Sequence, residues 1–383
     1  MSPPRIRPAT PDDLDALLRL EETSFPGDRL SRRQLRHLLI RAHAALFVAE
    51  EEGRVIGSVV VLFRRNTGTA HIYSIAVGED ARGRGIGRRL LEEAEAEAWR
   101  RERAWVRAEI RKDNAPSLSL FERSGYRRFG EYEGYYDDEM DAWRVEKTLD
   151  PRLRPTLARV PYYRQTLDFT CGPAALMMAM AAFRPGYSLD RMEELRVWRE
   201  ATTIFMTSGH GGCGPYGLAL AADRRGFHAA VVVSDPGVHM VDTVRSAEKQ
   251  EVMRLVQADM EAEMRRRKIS ASVRPVTVEE IERRFDAGEI PVMMISSWQI
   301  YEERAPHWVV VTGFDAHFVY VNDPWLDIEE GEVLADAINM PIGRELFRRM
   351  ARFGRRGLQT AVFIGAGAPK VDLGRGDLSR TDG

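Results

Sequence analysis

The sequence predicts an α+β protein of two domains. Three observations lead there. Residues 1–149 alternate between strand-like and helix-like segments. Residues 150–159 break that pattern with two prolines, three arginines and little periodicity, as a linker does. Residues 160–368 then begin a second alternation. A chain of 383 residues is long enough for two or three separate cores.

In the first segment Thr10, Pro11, Asp12 and Asp13 form a helix start: a capping hydroxyl, proline at the first helical position and acids in the first turn. Leu14, Leu17 and Leu18 supply the stripe that follows. Residues 46–50 and 55–63 read as strands joined at Glu52-Gly53, and 71–77 as a third. A helix is predicted over about 87–101, with Leu90, Leu91, Ala94 and Ala98 on one face. Residues 106–110 alternate as a strand, 114–123 form a short helix ended by Gly125, and 126–132 and 142–148 fit two more strands. In the second segment helices are predicted at 171–183, 189–201, 215–225, 244–267 and 278–287. Strands are predicted at 229–233, 291–296, 308–313, 318–322 and 360–364. The long charged helix at 244–267 is expected to cap a cleft or to contact the first domain. The polar tail 369–383 is predicted to be disordered.

Composition excludes several function classes. A net charge of −2 gives no pull towards nucleic acid or anionic membrane. No apolar run approaches the ~20 residues of a membrane span, and the first residues lack the apolar core of a secretory signal. Two cysteines cannot build a disulfide framework, which points to a reducing, cytoplasmic setting. The eight histidines are scattered without metal-ligand spacing, so no metal site is expected.

Two segments carry chemistry. The first is Arg82-Gly83-Arg84-Gly85-Ile86-Gly87, after a strand and before a helix. Glycines there let backbone N–H groups approach phosphate, although a tight strand-to-helix turn uses the same residues. A dinucleotide site is disfavoured, because the loop does not open its domain. With its surroundings, the segment resembles the acetyl-CoA loop of the GNAT superfamily of N-acetyltransferases. Ser74-Ile75-Ala76-Val77 resembles that family's splayed fourth strand, and the helix beginning at Asn114 and Ser117 resembles its later Asn-x-x-Ser helix. The resemblance covers residues 4–149 and implies a mixed central sheet with flanking helices. It implies acetyl-CoA as cofactor, held by Arg82, Gly83, Arg84, Gly85, Ile86, Gly87 and Arg88, by Ile75, Ala76 and Val77, and by Asn114 and Ser117. The family's usual tyrosine acid is replaced by Phe121, which cannot donate a proton. Tyr135 and Tyr136, in a segment similar to the ribosomal-protein acetyltransferases, are the alternatives. Glu122 is a candidate base or a solvated helix carboxylate. The acidic run 137–139 either attracts an amine or is an exposed loop.

The second segment is centred on Cys171, at the start of an apolar helix and six residues after Gln165. A helix N-terminus stabilises thiolate over thiol. A cysteine nucleophile needs a histidine and a group that orients it. His307 begins a predicted strand and Asp323 ends the next. A two-residue loop at Asp315-Ala316 would set His307 opposite Pro324, beside Asp323. The Gln165 amide and the Cys171 N–H together supply an oxyanion hole. The set resembles the papain-like cysteine peptidases of the bacteriocin leader-peptidase type, peptidase family 39, over residues 158–366. Cys213 has a similar local sequence but no upstream glutamine, and is read as a loop or helix-start residue. His210, His228, His239 and His317 are read as surface or packing residues, and Trp308 as a wall.

Together these imply a bifunctional enzyme acting on a peptide or small amine: acetyl transfer from acetyl-CoA, and amide cleavage through a Cys171 thioester. The alternatives are a cysteine domain that only binds peptide, or one that passes its acyl group to an amine.

Overall fold

The computed structural model describes residues 4–367 apart from 26, 28, 41–42, 66, 151–152, 203–210, 240, 242–243, 245, 304 and 327–333. His210 and the tail 369–383 lie outside the described residues. The chain divides into two compact units. The first comprises Met1–Ala158, Ser296–Pro306 and Val311–Met350; the second comprises Arg159–Ile295, His307–Val310 and Ala351–Gly383.

The first unit opens with β1 (Arg5–Pro8), α1 (Leu14–Ser24) and α2 (Arg32–Ile40). Thr10 caps as expected: its backbone N–H donates to Asp13 at 2.8 Å, and the carboxylate is held at a pKa of about 2, first by Arg7. Then come β2 (Ala44–Glu51), β3 (Arg54–Phe63), β4 (Thr69–Val77), α3 (Ile86–Arg100), β5 (Trp105–Arg111), α4 (Ala115–Arg123), β6 (Arg127–Tyr132), β7 (Ala142–Thr148) and β8 (Thr156–Leu157). The sheet order is β1-β2-β3-β4-β5-β7-β6. Only the β4–β5 pair is parallel, so the sheet is mixed. Leu90, Leu91, Ala94 and Ala98 of α3 are fully buried in one cluster with Val59, Val61, Val106 and Val145 of the sheet.

Two features of β4 position the site. Its parallel pairing with β5 covers only Thr69, Ala70 and His71, so from Ile72 to Val77 the strand is paired on its β3 side alone. Against β3 the register slips between Val60↔Ser74 and Val61↔Ile72, leaving Tyr73 as the extra residue of a bulge. Bulges re-aim side chains where a ladder ends.

The second unit contains α5 (Cys171–Ala181), α6 (Arg191–Ala201), α7 (Pro215–Arg224), β9 (His228–Val233), α8 (Ala247–Arg267), β10 (Ser270–Val273), α9 (Val278–Asp286) and β11 (Ile290–Ser296). α10 (Trp298–Tyr301) lies in the first unit, and β12 (Pro306–Phe314) gives residues to both. β13 (Phe318–Asn322), α11 (Leu334–Ala337), β14 (Met340–Gly343) and α12 (Arg344–Met350) belong to the first unit, and β15 (Thr360–Gly365) to the second. In the second unit β10, β9, β15 and β11 lie side by side in that order. The helix α8 packs on α7 and β10, with Arg224 to Glu263 at 2.9 Å and Arg267 to Asp223 at 3.0 Å.

The segment read as a linker contains a strand that periodicity does not predict: β8 pairs antiparallel with β12 at Gly313↔Leu157 and Phe314↔Thr156. A two-residue strand has no period to read. The β12–β13 turn also sits one residue later than predicted. The Asp315 N–H donates to the Phe318 carbonyl at 3.1 Å, so the loop residues are Ala316 and His317. The Asp315 carboxylate draws the turn there by accepting from the His317 and Phe318 N–H groups, both at 2.8 Å. The opposition of His307 and Pro324 required a loop at Asp315-Ala316 and does not follow from the observed turn.

Candidate active sites

The glycine loop in the first unit joins β4 to the N-terminus of the 15-residue helix α3. Gly83 and Gly85 take left-handed backbone angles, φ +74° and +75°, and a Cβ at either would meet nothing within 4 Å. Backbone and open space coincide there, as a phosphate cradle requires. At Gly87 a Cβ would press on Leu120 at 3.3 Å, so this glycine serves packing of α3 on α4. The Arg82 Nε donates to the Val77 carbonyl at 3.2 Å and closes the loop. Arg84 is paired with Glu51 and Arg88 with Glu92. Ile86 is buried, whereas Ile75 and Val77 stay partly exposed along the one-sided stretch of β4 with Ala76 between them. Asn114 caps α4 by accepting from the Ser117 N–H at 3.1 Å, so both residues have a local structural task.

Of the candidate proton carriers, Glu122 stands on the exposed face of α4 in an ion pair with Arg128 at 2.7 Å. The acidic run is also exposed, with Asp138 held by Arg111 at 2.8 Å. The tyrosines are half-buried. Tyr135 stacks on Tyr132 with ring centroids 5.6 Å apart and meets Tyr136 edge-on at 5.1 Å. Burial first, then the charge of Glu109, push the Tyr135 phenol well above its ordinary value, so it remains protonated. The Tyr136 hydroxyl donates to the Glu109 carbonyl at 3.5 Å, under the Arg111 guanidinium.

Sequence reasoning does not find the group at the centre of this cluster. His71 on β4 and Glu109 on β5 meet at 2.6 Å, both side chains 3 % exposed, where the two strands part. Burial works against charge on both, yet their mutual attraction prevails: His71 is held above its ordinary value and Glu109 below. The outer atoms, His71 Nδ1 and Glu109 Oε1, are buried without a hydrogen-bond partner. Such unsatisfied, perturbed groups concentrate at functional sites. The two residues are 38 apart in sequence and on different strands, so no spacing rule links them. Nearby, Glu21 of α1 is buried and accepts from Ser74 Oγ at 2.9 Å and the Leu30 N–H at 3.1 Å; burial raises its carboxyl.

In the second unit α5 has no polar face. Its residues 172–181 are all buried, and only its first, Cys171, is partly exposed. A helix apolar all round is core, and its one accessible position is the thiol. Gly172 lets another element come close: a Cβ there would lie 3.1 Å from Trp308 and 3.3 Å from Cys213. The N-terminus of α5 thus rests against the residue that follows His307. The Trp308 indole is fixed by donating to the Cys213 carbonyl at 3.1 Å. His307 is 7 % exposed and Gln165 6 %. The Gln165 amide nitrogen spends one hydrogen on the Leu167 carbonyl at 2.9 Å, and its Oε1 is buried without a partner. Cys213 is fully enclosed, and burial pushes its thiol well up, which suits an inert core thiol. His239 packs flat on Tyr216, and burial lowers its pKa. Asp323 belongs to the first unit. It is wholly buried, and its Oδ1 accepts from the Trp325 N–H at 2.9 Å while Oδ2 accepts from the Tyr301 hydroxyl at 2.7 Å.

Comparison with known proteins matches two families to the chain. Residues 14–126 match the Acetyltransferase (GNAT) family, and residues 160–365 match the Peptidase_C39 like family. An N-alpha-acetyltransferase of Sulfolobus acidocaldarius is 29 % identical over 158 residues, which are 38 % of this chain and 92 % of that protein. An uncharacterized N-acetyltransferase of Methanocaldococcus jannaschii is 31 % identical over 138 residues, 36 % of this chain and 86 % of that protein. Among solved structures, the ribosomal-protein-alanine N-acetyltransferase of Brucella melitensis is 29 % identical, with a TM-score of 0.35 over 38 % of this chain and 99 % of that one. Among the described residues no helix is long and apolar enough to cross a membrane. The chain belongs to the Peptidase_C39 like family, and it carries ahead of that region an N-acetyltransferase domain of the GNAT family.

Proposed function

We propose that the chain is bifunctional: its first domain transfers acetyl from acetyl-CoA to the amine of a peptide or small molecule, and its second cleaves an amide through Cys171. The observation supporting the first activity is the open space over Gly83 and Gly85, in the loop that follows the one-sided stretch of β4. Acetyl-CoA, when bound, supplies the acetyl group as a thioester. The loop N–H groups and the positive end of α3 hold its pyrophosphate. The unpaired side of β4 from Ile75 to Val77 orients the pantetheine arm. The His71–Glu109 pair takes up the proton that the amine gives away, and Tyr135 holds the proton for the departing sulfur. Tyr136, whose hydroxyl is engaged by a backbone carbonyl, is assigned to packing. Tyr135→Phe is therefore expected to lower kcat about a hundredfold, and Tyr136→Phe less than about threefold, in a steady-state thiol-release assay.

The observation supporting the second activity is the partly exposed Cys171 at the start of an otherwise buried helix whose next residue packs on the residue after His307. Cys171 is the nucleophile, His307 its base and Asp323 the carboxylate that orients His307. The second hydrogen of the Gln165 amide, with the Cys171 N–H, receives the oxyanion. The test follows intact masses after incubating the purified chain with acetyl-CoA and a peptide mixture. A 42-Da gain that survives Cys171→Ala, with cleavage products that do not, is the expected outcome. Acetylation without any Cys171-dependent cleavage would leave a peptide-binding second domain, and a Cys171-dependent product joined to an amine would make it a transferase.

A further inference from the structure

The loop that carries Gln165 is tied down by a buried carboxylate of α6. Glu194 is 0 % exposed and lies in the first turn of that helix. Asp190 fixes the helix start by accepting from the Glu193 N–H at 2.9 Å. Glu194 Oε1 accepts from the Thr166 N–H at 2.8 Å. Its Oε2 accepts from the Thr166 hydroxyl at 2.6 Å and from the Tyr163 hydroxyl at 3.0 Å. A buried carboxylate is costly unless donors meet it, and all of these donors come from residues 163–166. One turn further along the same face of α6, Trp198 meets Phe169 with ring centroids 5.2 Å apart. Tyr163, Gln165, Cys171 and Glu194 all belong to the second compact unit.

These bonds bear on Gln165 directly. The Thr166 N–H is part of the planar peptide unit that leaves Gln165, so its bond to Glu194 sets the backbone direction there. The Gln165 amide is held at its other end by the Leu167 carbonyl at 2.9 Å. That carbonyl also accepts from the Thr170 hydroxyl at 2.8 Å and from the Thr170 N–H at 3.2 Å. Thr170 is wholly buried and immediately precedes Cys171. One carbonyl thus joins the Gln165 amide to the start of α5, while Glu194 anchors the same loop to α6. Such precision matters for an oxyanion donor, because a misplacement of about 1 Å can cost about a hundredfold in rate.

We infer that Glu194 is a positioning residue for the Cys171 chemistry, acting through residues 163–167 to aim the Gln165 amide at the oxyanion. This rests on the reading of Cys171 as the nucleophile and Gln165 as an oxyanion donor. Loss of the carboxylate frees the peptide unit between Gln165 and Thr166, and the amide is no longer held where the oxyanion forms. The hydrogen bonds of Glu194 go to the loop and not to the thiol. Attack by Cys171 on a carbonyl therefore slows, while its attack on a saturated carbon does not.

The test uses the full chain and two electrophiles. With p-nitrophenyl acetate the Cys171 thiolate adds to the ester carbonyl through an oxyanion; the sulfur–carbon bond forms, the ester C–O bond breaks and p-nitrophenolate leaves. Iodoacetamide alkylates the same thiolate with loss of iodide and passes through no oxyanion. The p-nitrophenolate release that Cys171→Ala abolishes reads the first reaction, and the mass of the Cys171 peptide reads the second. Gln165→Ala is expected to slow acylation about a hundredfold, and Glu194→Ala about tenfold. Glu194→Gln, which still accepts from the Thr166 N–H, is expected to recover part of the loss. Adding Glu194→Ala to Gln165→Ala is expected to cost nothing further. Alkylation stays within about twofold throughout. If Glu194→Ala proves poorly folded by circular dichroism, Thr166→Val takes its place, with about a threefold slowing expected and the same non-additivity. Slowing by Gln165→Ala with wild-type acylation in the Glu194 or Thr166 variant overturns the inference alone. An additive double variant does the same, as does a Glu194 variant that slows alkylation as much as acylation. Wild-type acylation in Gln165→Ala overturns the assigned role of Gln165, and the inference with it. No Cys171-dependent release in the wild-type chain overturns the reading of Cys171 as the nucleophile.

Discussion

Replacing Glu109 by glutamine is expected to lower acetyl transfer about a hundredfold, the scale of a lost general acid–base group. The substitution keeps the shape of the side chain, so the fold should survive, while it removes the charge that His71 faces at 2.6 Å. The pH dependence then separates a chemical role from a structural one. With Glu109 present, His71 titrates above its ordinary value of 6.5, and the rate rises as the pair gives up its proton. Without it, burial is the largest remaining influence on the ring and lowers its pKa. The acidic limb of kcat/KM should therefore move to lower pH. An unshifted limb, with the rate within about threefold of wild type, would remove the pair from the mechanism.

Stability should carry the same signature. His71 has a raised folded value, so its contribution is complete below 6.5 and is lost as pH rises through that value. Glu109 has a lowered folded value, so its contribution is complete above 4.5 and is lost as pH falls through it. The pair titrates as a unit and supports the fold best between those limits. The stability difference between wild type and Glu109→Gln should thus shrink as pH rises beyond the His71 transition, as measured by denaturant unfolding at about pH 6 and about pH 9.

The second large effect is expected at Gly217. A Cβ there would lie 2.5 Å from the Ala201 carbonyl oxygen and 2.6 Å from its Cα, both backbone atoms. The end of α6 sits directly on the first turn of α7, where the Gly214 N–H donates to the Ala201 carbonyl at 3.3 Å. Neither helix can yield locally, because Leu218, Ala219 and Ala201 are wholly buried. Gly217→Ala is expected to cost about 3 kcal/mol, the upper part of the range for overpacking. Both α6 and α7 pack against α5, so hydrogen exchange should quicken across all three helices, and Cys171 should lose its selective reactivity towards electrophiles. Acetyl transfer, carried by residues of the first unit, should not change.

Long periodic elements are legible in the amino-acid sequence. The faces of α3, the apolar helix behind Cys171 and the β2–β3 hairpin follow from period and turn chemistry, because those signals are local. Short or interrupted pieces are not: β1, α2, β8, β10, α10, α11, β14 and α12 owe their existence to what they pack or pair against. Turn register is legible only to within one residue, since the Asp315 carboxylate, and not strand length, selects where the chain reverses.

The same division holds for the sites. The amino-acid sequence by itself determined the glycine loop, the unusual placement of Cys171 and its glutamine, and the two families they resemble, because each is a contiguous or regularly spaced motif. Only the tertiary structure decided which buried groups face one another. It joined His71 to Glu109 across two strands at the point where they part. It set Glu122 in an exposed ion pair, Tyr136 against a carbonyl and Tyr135 stacked on Tyr132. It also brought Arg64 to Asp323, 259 residues away. The physical reason is common to all three: the strength of a charge or hydrogen bond depends on its burial and its partner, and neither is a property of a residue's place along the chain.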